Sequence, residues 1–293
     1  MPSTSLDRLQ TLHAVCTTGT IAAAARQLGY TPSAVSQRLA ELEREAGVAL
    51  LERSNRGVAP TAAGRRLAER ASMILDLVQS AFDEVALAGA GGTPSTVVIA
   101  AFPTAISSML LPALDRLPNT VRLRIVALEP EQALQALVGR TVDAAIVDSY
   151  AELPTLLPNG LRSVELCREP IQLVTDRHRR PRSLVACKDA DWVLGPPTSR
   201  LGMTARSLCQ RHGFVPNVIA EADDHHVTFD IVRATGAVSL LPQLALADVP
   251  PGIRFARSVA TGAERCIDLL TRHLPRPNTA VAIVEEVIRS TNT

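Results

Sequence analysis

The stretch GTIAAAARQLGYTPSAVSQRL, residues 19–39, decides how the first part of the chain folds. Gly19 ends an apolar run at helical spacing (Leu6, Leu9, Leu12, Cys16), and Thr20 stands where a hydroxyl caps a new helix over residues 21–28. The alanines at 22–25 give that helix a slim face that a neighbour can approach closely. Gly29 and Tyr30 make a short turn. Thr31 then caps a third helix with Pro32 at its first position, where a missing N–H costs nothing. The apolar face of this helix is Val35, Leu39, Leu42 and Ala46, which turns Ser33, Ser36, Gln37 and Ala40 outwards. Helix, short turn, helix, with small hydroxyls and an amide at the leading end, suits entry into a DNA major groove. An ordinary three-helix bundle with a polar outer face fits the same local pattern.

The residues that follow favour the first reading. Residues 50–61, with Asn55, Gly57 and Pro60, read as a hairpin-like excursion. Arg53, Arg56, Arg65 and Arg66 lie between 53 and 66 with no acidic residue among them. Arg56 sits beside Gly57 at the tip, suited to a minor groove, and Arg65 and Arg66 stand within reach of phosphates. Thr61 caps a long helix to about Ala88, with apolar residues at Leu67, Ala71, Ile74, Val78, Ala81, Val85 and Ala88. Those intervals alternate four and three, the spacing of a coiled-coil seam. A long core helix is the plainer alternative.

Composition sets outer limits. The 293 residues carry 30 basic and 29 acidic side chains, a net charge of +1, so any nucleic-acid contact must come from a local patch. The eight aromatics are too few for a base-stacking platform. No run approaches 18 apolar residues and no basic-then-apolar leader is visible, so a cytoplasmic protein without a membrane partner is expected. The five cysteines then read as reduced thiols, with a Cys187–Cys209 redox switch conceivable.

Proline divides the chain: three prolines fall in residues 1–93 and seventeen in 94–293. The break comes at the Gly-rich stretch 89–94. Beyond it, short apolar strands at 97–101, 121–127 and 142–147 alternate with helical stretches near 104–117 and 131–138, indicating a parallel α/β sheet. Strands near 171–175, 191–194, 216–220 and 236–240 repeat the theme, and a strand at 266–270 and a helix at 279–289 close the chain. The expected division is 1–61, 62–93 and 94–293.

Residues 19–28, 31–39, Leu42-Glu43, 50–53 and 61–64 together resemble the LysR-type transcriptional regulators, almost without gaps through residues 6–75. Residues 237–242 are a weaker echo of the same family. The resemblance implies a winged helix-turn-helix, a dimerising linker helix and a two-lobed α/β sensor like the periplasmic binding proteins. Lobe I would span about 94–164 and 261–293, and lobe II about 165–260. It also implies a homodimer or homotetramer that binds double-stranded DNA, answers a small-molecule effector, controls genes near its own, and contacts RNA polymerase if it activates. Carried over by position, base reading falls on Pro32, Ser33, Ser36 and Gln37, phosphate contact on Thr31 and Arg38, and the wing contact on Arg56. Pro32 and Gln37 stand where the family often has Gln and Arg. Arg53 either holds the wing by pairing with a glutamate or touches DNA.

In the sensor half the chemistry must come from loops at strand ends. Thr104, Asp148, Ser149, Thr198, Ser199 and Arg200 lie in such loops, and helix starts among them are either plain caps or anion sites. Arg200 could clamp a carboxylate or phosphate, so an effector with an anionic group is expected. Asp148, if it faces the ligand, shifts the expectation from a simple organic acid towards an amino-acid-like or amine-bearing molecule. Asp223-Asp224-His225-His226 gives no spaced third metal ligand, and adjacent histidines should diverge from a helix, so His225 is assigned to a helix start or the ligand cleft. No catalytic motif is found and no cofactor is implied beyond the effector. A cytoplasmic binding protein without a DNA role would explain residues 94–293 but not 1–88.

Overall fold

The computed structural model describes residues 5–54, 57–88, 94–151, 153, 157–256, 259, 261–274 and 278–291. Three helices open the chain: α1 (Leu6–Thr18), α2 (Ile21–Leu28) and α3 (Pro32–Ala46). Each ends at a glycine in the left-handed region, Gly19, Gly29 and Gly47, where a missing Cβ removes the steric objection. Thr20 and Thr31 cap as expected, accepting from the Ala23 and Ala34 N–H groups. The strands β1 (Leu51–Ser54) and β2 (Gly57–Pro60) pair antiparallel as a hairpin, and α4 (Ala62–Ala88) follows. Thr61 caps α4 by accepting from Gly64 N at 3.0 Å. Gly64 lies against the Leu50 carbonyl so closely that any Cβ there would overlap it, which explains the glycine after that cap.

Leu12, Val15, Ala24, Val35, Leu39, Leu42, Leu50, Ala68 and Ala71 form the core of this part. Two expectations shift. Ala46 and Leu6 are exposed, because the bundle closes before it reaches either end. The first part of the proposed seam on α4 is internal: Ala71 is buried and Leu67 packs on the same core, since α1 crosses there. Only from Ile74 onwards does α4 expose large apolar residues, with Leu77, Phe82 and Val85 at 56%, 70% and 72%.

The sensor half contains β3 (Ser95–Ala101), α5 (Pro103–Ala105), α6 (Leu111–Leu114), β4 (Val121–Ala127), α7 (Pro130–Val138) and β5 (Ala144–Tyr150). A π-helical turn, Ile106–Leu110, joins α5 to α6. Pro112 lacks the N–H that a regular helix would need there, and the wider turn absorbs the gap. Next come β6 (Leu161–Asp176), β7 (Asp191–Leu194), α8 (Arg200–Arg211), β8 (Asn217–Glu221), α9 (His225–Thr235) and β9 (Ser239–Pro242). The chain closes with β10 (Ile253–Phe255), β11 (Glu264–Arg272) and α10 (Thr279–Thr291).

The sheet is mixed rather than parallel. Its order is β10-β6-β11-β5-β3-β4, with β9 also on β6; β3, β4 and β5 are parallel, while β11 is antiparallel to β5 and β6. β6 is a single 16-residue strand whose first half pairs with β11 and whose second half pairs with β9 and β10. It therefore runs from one lobe into the other. In lobe I, Ile99, Met109, Leu110, Ile146, Ile267 and Val284 pack on one sheet face and Leu137, Val147 and Leu270 on the other. In lobe II, Trp192, Leu173, Leu208 and Leu240 form the main core. β7 and β8 form a parallel pair joined to the rest through a bridge from Trp192 to Val238.

Helix α4 does not stand free of the sensor. Asp76, buried on α4, receives Arg140 at 2.7 Å and Arg272 at 2.8 Å. Arg140 also donates to Ser72 O, and Gln27 of α2 donates to Gly139 O at 2.7 Å. Arg272 is further held by the Leu137 and Val142 carbonyls and by Asp143. His13 of α1 is buried within the field of this cluster. Among the described residues no helix is long and apolar enough to cross a membrane. All five cysteines are free; burial pushes the Cys187 thiol up and Cys209 to about 12, which disfavours the thiolate that a redox switch would need.

Candidate functional site

Two regions gather the polar residues that the sequence singles out. The first is the outer face of α3. Val35, Leu39 and Leu42 are buried against the bundle, so Ser33, Ser36, Gln37 and Ala40 are exposed together on the opposite side. Thr31 is exposed at the leading end, sharing a 3.0 Å hydrogen bond with Ser33 while capping the helix. Pro32 is exposed and its carbonyl accepts from Ser36. Gln37 donates to Glu41 Oε1 at 3.3 Å, a weak contact that a base edge can replace. Arg38 is placed differently: its guanidinium stacks 3.9 Å over the Tyr30 ring and lies 3.9 Å from Asp7.

The hairpin is fastened to the same helix. Glu43 of α3 accepts from the Leu50 and Leu51 N–H groups at 2.8 and 3.0 Å, so a glutamate fastens the base of the wing through backbone. The backbone of Arg53 pairs with Val58 in the hairpin. Arg56 and the side chain of Arg53 lie outside the described residues. Arg65 is held to Pro60 O at 2.6 Å, and Arg66 is exposed on the first turns of α4.

The second region is a cavity of about 420 Å³ between the lobes. It gathers Thr104 from the start of α5, Asp148 from the end of β5, Thr198, Ser199 and Arg200 from the start of α8, and His225 from the start of α9. Ser149 is not among them. Successive strand residues face opposite sides of a sheet, so Asp148 turns into the cleft while Ser149 opens on a separate cavity with Arg168 and Cys266. His225 and His226 do not diverge; their rings lie 4.2 Å apart between centroids, tilted by 38°, and both line the cleft. Asp224 caps α9, accepting from His226 N and Val227 N, which holds its carboxyl below the usual range. Among the described residues no three potential metal ligands come together.

No local sequence pattern singles out Arg265. It is buried on β11 and sits directly opposite Glu169 of β6 in the antiparallel register. Its guanidinium meets Glu169 at 2.6 Å, lies 3.6 Å from Asp148, and donates to Thr104 Oγ1 at 3.3 Å. Arg200 reaches Glu131 at 3.4 Å and Asp148 at 3.7 Å, and donates to the Leu153 carbonyl. Burial pushes the Asp148 carboxyl up, against the pull of both arginines. Tyr150 donates to Asp148 at 3.2 Å, and burial raises its phenol, so it stays a donor. Glu129 was findable: it follows β4 as Pro103 follows β3, at the same edge of the parallel strands. Arg265 was not, because its burial shows only once β6 is known to lie beside β11.

Residues 6–65 match the bacterial regulatory helix-turn-helix protein, lysR family, and residues 90–292 match the LysR substrate binding domain. The chain belongs to the LysR family. It is a ligand-responsive, DNA-binding transcriptional regulator of the LysR type. Among similar proteins is the HTH-type transcriptional regulator TcbR of Pseudomonas sp. (strain P51), 28% identical over 287 residues, covering 94% of this chain and 96% of that one. The probable HTH-type transcriptional regulator LrrA of Synechococcus elongatus is 37% identical over 147 residues, 49% of each chain. The same LysR fold recurs in full-length CbnR complexed with its target DNA (TM-score 0.58, 24% identity, 98% of this chain and 99% of that one). A point variant of full-length OxyR from Pseudomonas aeruginosa is also similar in fold (TM-score 0.65, 20% identity, 97% of this chain and 94% of that one).

Proposed function

We propose that this LysR regulator reads operator sequence through Pro32, Ser33, Ser36 and Gln37 while Thr31, Arg38, Arg53, Arg56 and Arg66 address the DNA backbone and minor groove. The observation carrying this reading is the sidedness of α3, whose apolar residues are buried and whose small polar residues are exposed at its leading end. The protein then acts in the cytoplasm on promoters near its own gene, without catalysis or a resident cofactor, and touches RNA polymerase where it activates. Its small polar effector enters the cavity between the lobes, at Thr104, Asp148, Thr198, Ser199, Arg200 and His225.

Two variants separate base reading from backbone contact. Gln37→Ala is expected to relax preference at one or two base pairs, removing about 1–3 kcal/mol of discrimination. Arg66→Ala is expected to weaken binding to every sequence alike and to lower the salt slope by about one counterion. Titrations of operator variants over a salt series check both. Equal effects of the two substitutions on all sequences would contradict the assignment.

The same reading has the chain self-associate through the outer half of α4, forming a dimer or a dimer of dimers. Support comes from Ile74, Leu77, Phe82 and Val85, apolar and exposed on a helix that otherwise packs on its own chain. Val85→Glu is expected to halve the particle mass measured by light scattering. An unchanged mass would remove α4 from the interface.

A further inference from the structure

The charges around the interlobe cavity do not balance. Its lining includes five carboxylates, Glu129, Glu131, Asp148, Asp223 and Asp224, against two guanidiniums, Arg200 and Arg265, and the imidazoles of His225 and His226. Both arginines are already engaged by carboxylates. Arg265 meets Glu169 behind the cavity wall and Asp148 on it, and Arg200 lies between Glu131 and Asp148. Arg200 Nε is buried without a hydrogen-bond partner, but it lies 3.7 Å from the Asp148 carboxylate, which opposes an incoming anion.

The starts of α8, α9 and α5 do not supply an anion site either. The Ser199 hydroxyl is used in capping α8, accepting from Gly202 N at 3.1 Å and donating to Pro196 O. Asp224 places its own carboxylate on the first N–H groups of α9. Thr104 lies on a three-residue helix and accepts from Arg265. Among the described residues no basic side chain lies within ion-pair distance of Glu129 or Asp223. Glu129 feels Asp223, Asp148 and Glu131 together, and partial desolvation with these three push its carboxyl up. Like charges gathered around a cavity attract a cation and repel an anion.

The rest of the lining limits what that cation carries. Phe102, Leu201, Leu241, Leu244 and Ala245 give the cavity an apolar floor. Ser107, Ser108 and Thr198 add neutral hydroxyls. An aliphatic body fits this surface, and a small hydrated metal ion would leave it unused.

We infer that the effector of this regulator carries a protonated amine on a short aliphatic body, with the ammonium seated between Glu129 and Asp223. The inference rests on the reading of the chain as a ligand-responsive regulator and names the ligand class of that same cavity. It replaces the anion expected from the sequence, because carboxylates outnumber guanidiniums around the cavity.

Three five-carbon compounds of equal length test the sign of the charge. These are 1,5-diaminopentane, 5-aminopentanoate and pentanedioate, titrated into the full-length protein by calorimetry and thermal shift. The two amines are expected to bind and raise Tm, and pentanedioate to do neither. Glu129→Gln and Asp223→Asn should each weaken amine binding about tenfold or more, the loss of one charge-assisted contact. Glu129 and Asp223 are both exposed, so neither variant should disturb the fold. Binding of pentanedioate but not of the amines would overturn the inference, and so would binding of none of the three. Operator binding measured on the same samples keeps the two readings apart. If it persists while the amines fail, only the ligand class is wrong; if it is absent, the regulator reading itself fails.

Discussion

Asp76→Ala is expected to destabilise the protein by about 3–5 kcal/mol, the usual cost of stripping one partner from a buried charge cluster. Arg140 and Arg272 both converge on Asp76 Oδ1, at 2.7 and 2.8 Å, and their side chains are only 16% and 13% exposed. Without the carboxylate, two guanidiniums face each other between α4 and lobe I. Arg272 keeps Asp143 and two carbonyls, so Arg140 should be the group that moves. Denaturant unfolding followed by circular dichroism gives the loss, and Asp76→Asn should fall between the variant and the wild type. A change below about 1 kcal/mol would mean that α4 is not docked on the sensor in solution.

The same junction makes stability depend on pH in a definite direction. Burial, with Arg140 and Arg272, lowers the His13 pKa from 6.5 to about 4, and Asp76 only partly offsets this. Between those values the unfolded chain binds a proton that the folded chain refuses. The stabilising contribution is thus complete above about pH 6.5 and is lost as the pH falls towards 4. At 1.36 kcal/mol per unit, the whole window is worth about 3 kcal/mol, with roughly 1.5 kcal/mol lost between pH 6.5 and 5. Unfolding curves over that interval should show the slope in the wild type and a flatter profile in His13→Gln. Identical profiles would place His13 in water rather than in the junction.

The DNA-reading part was legible because its signals are local. Caps at Thr20, Thr31 and Thr61, the left-handed glycines at 19, 29 and 47, and one apolar face per helix each depend on a few neighbouring residues. The sensor's sheet was harder. The first half of β6 interleaves Arg162, Glu165 and Arg168 with apolar residues, and Pro170 reads as a stop. Pro170 is tolerated because it pairs with Glu264, the terminal residue of β11, where β6 leaves one set of partners for the other. Missing that continuity hid the Glu169–Arg265 pair, which in turn hid the sign of the cleft. Asp148 and Ser149 show a simpler limit: a loop reading names both, and the twofold alternation of a strand admits one. The docking of α4 through Asp76, Arg140 and Arg272 joins residues far apart in the chain, and no local pattern points to it.

The exposed end of α3 is the part of the chain expected to read DNA sequence. The most direct test is a competition at fixed salt between the fragment upstream of the gene and a shuffled duplex of equal length and composition, measured by fluorescence anisotropy. Specific regulators prefer their site by about 10³-fold or more. A preference of that order, lost on substituting Ser33, Ser36 and Gln37 together by alanine, is the predicted result. Equal affinity for the two duplexes, or a preference that survives the triple substitution, would contradict it.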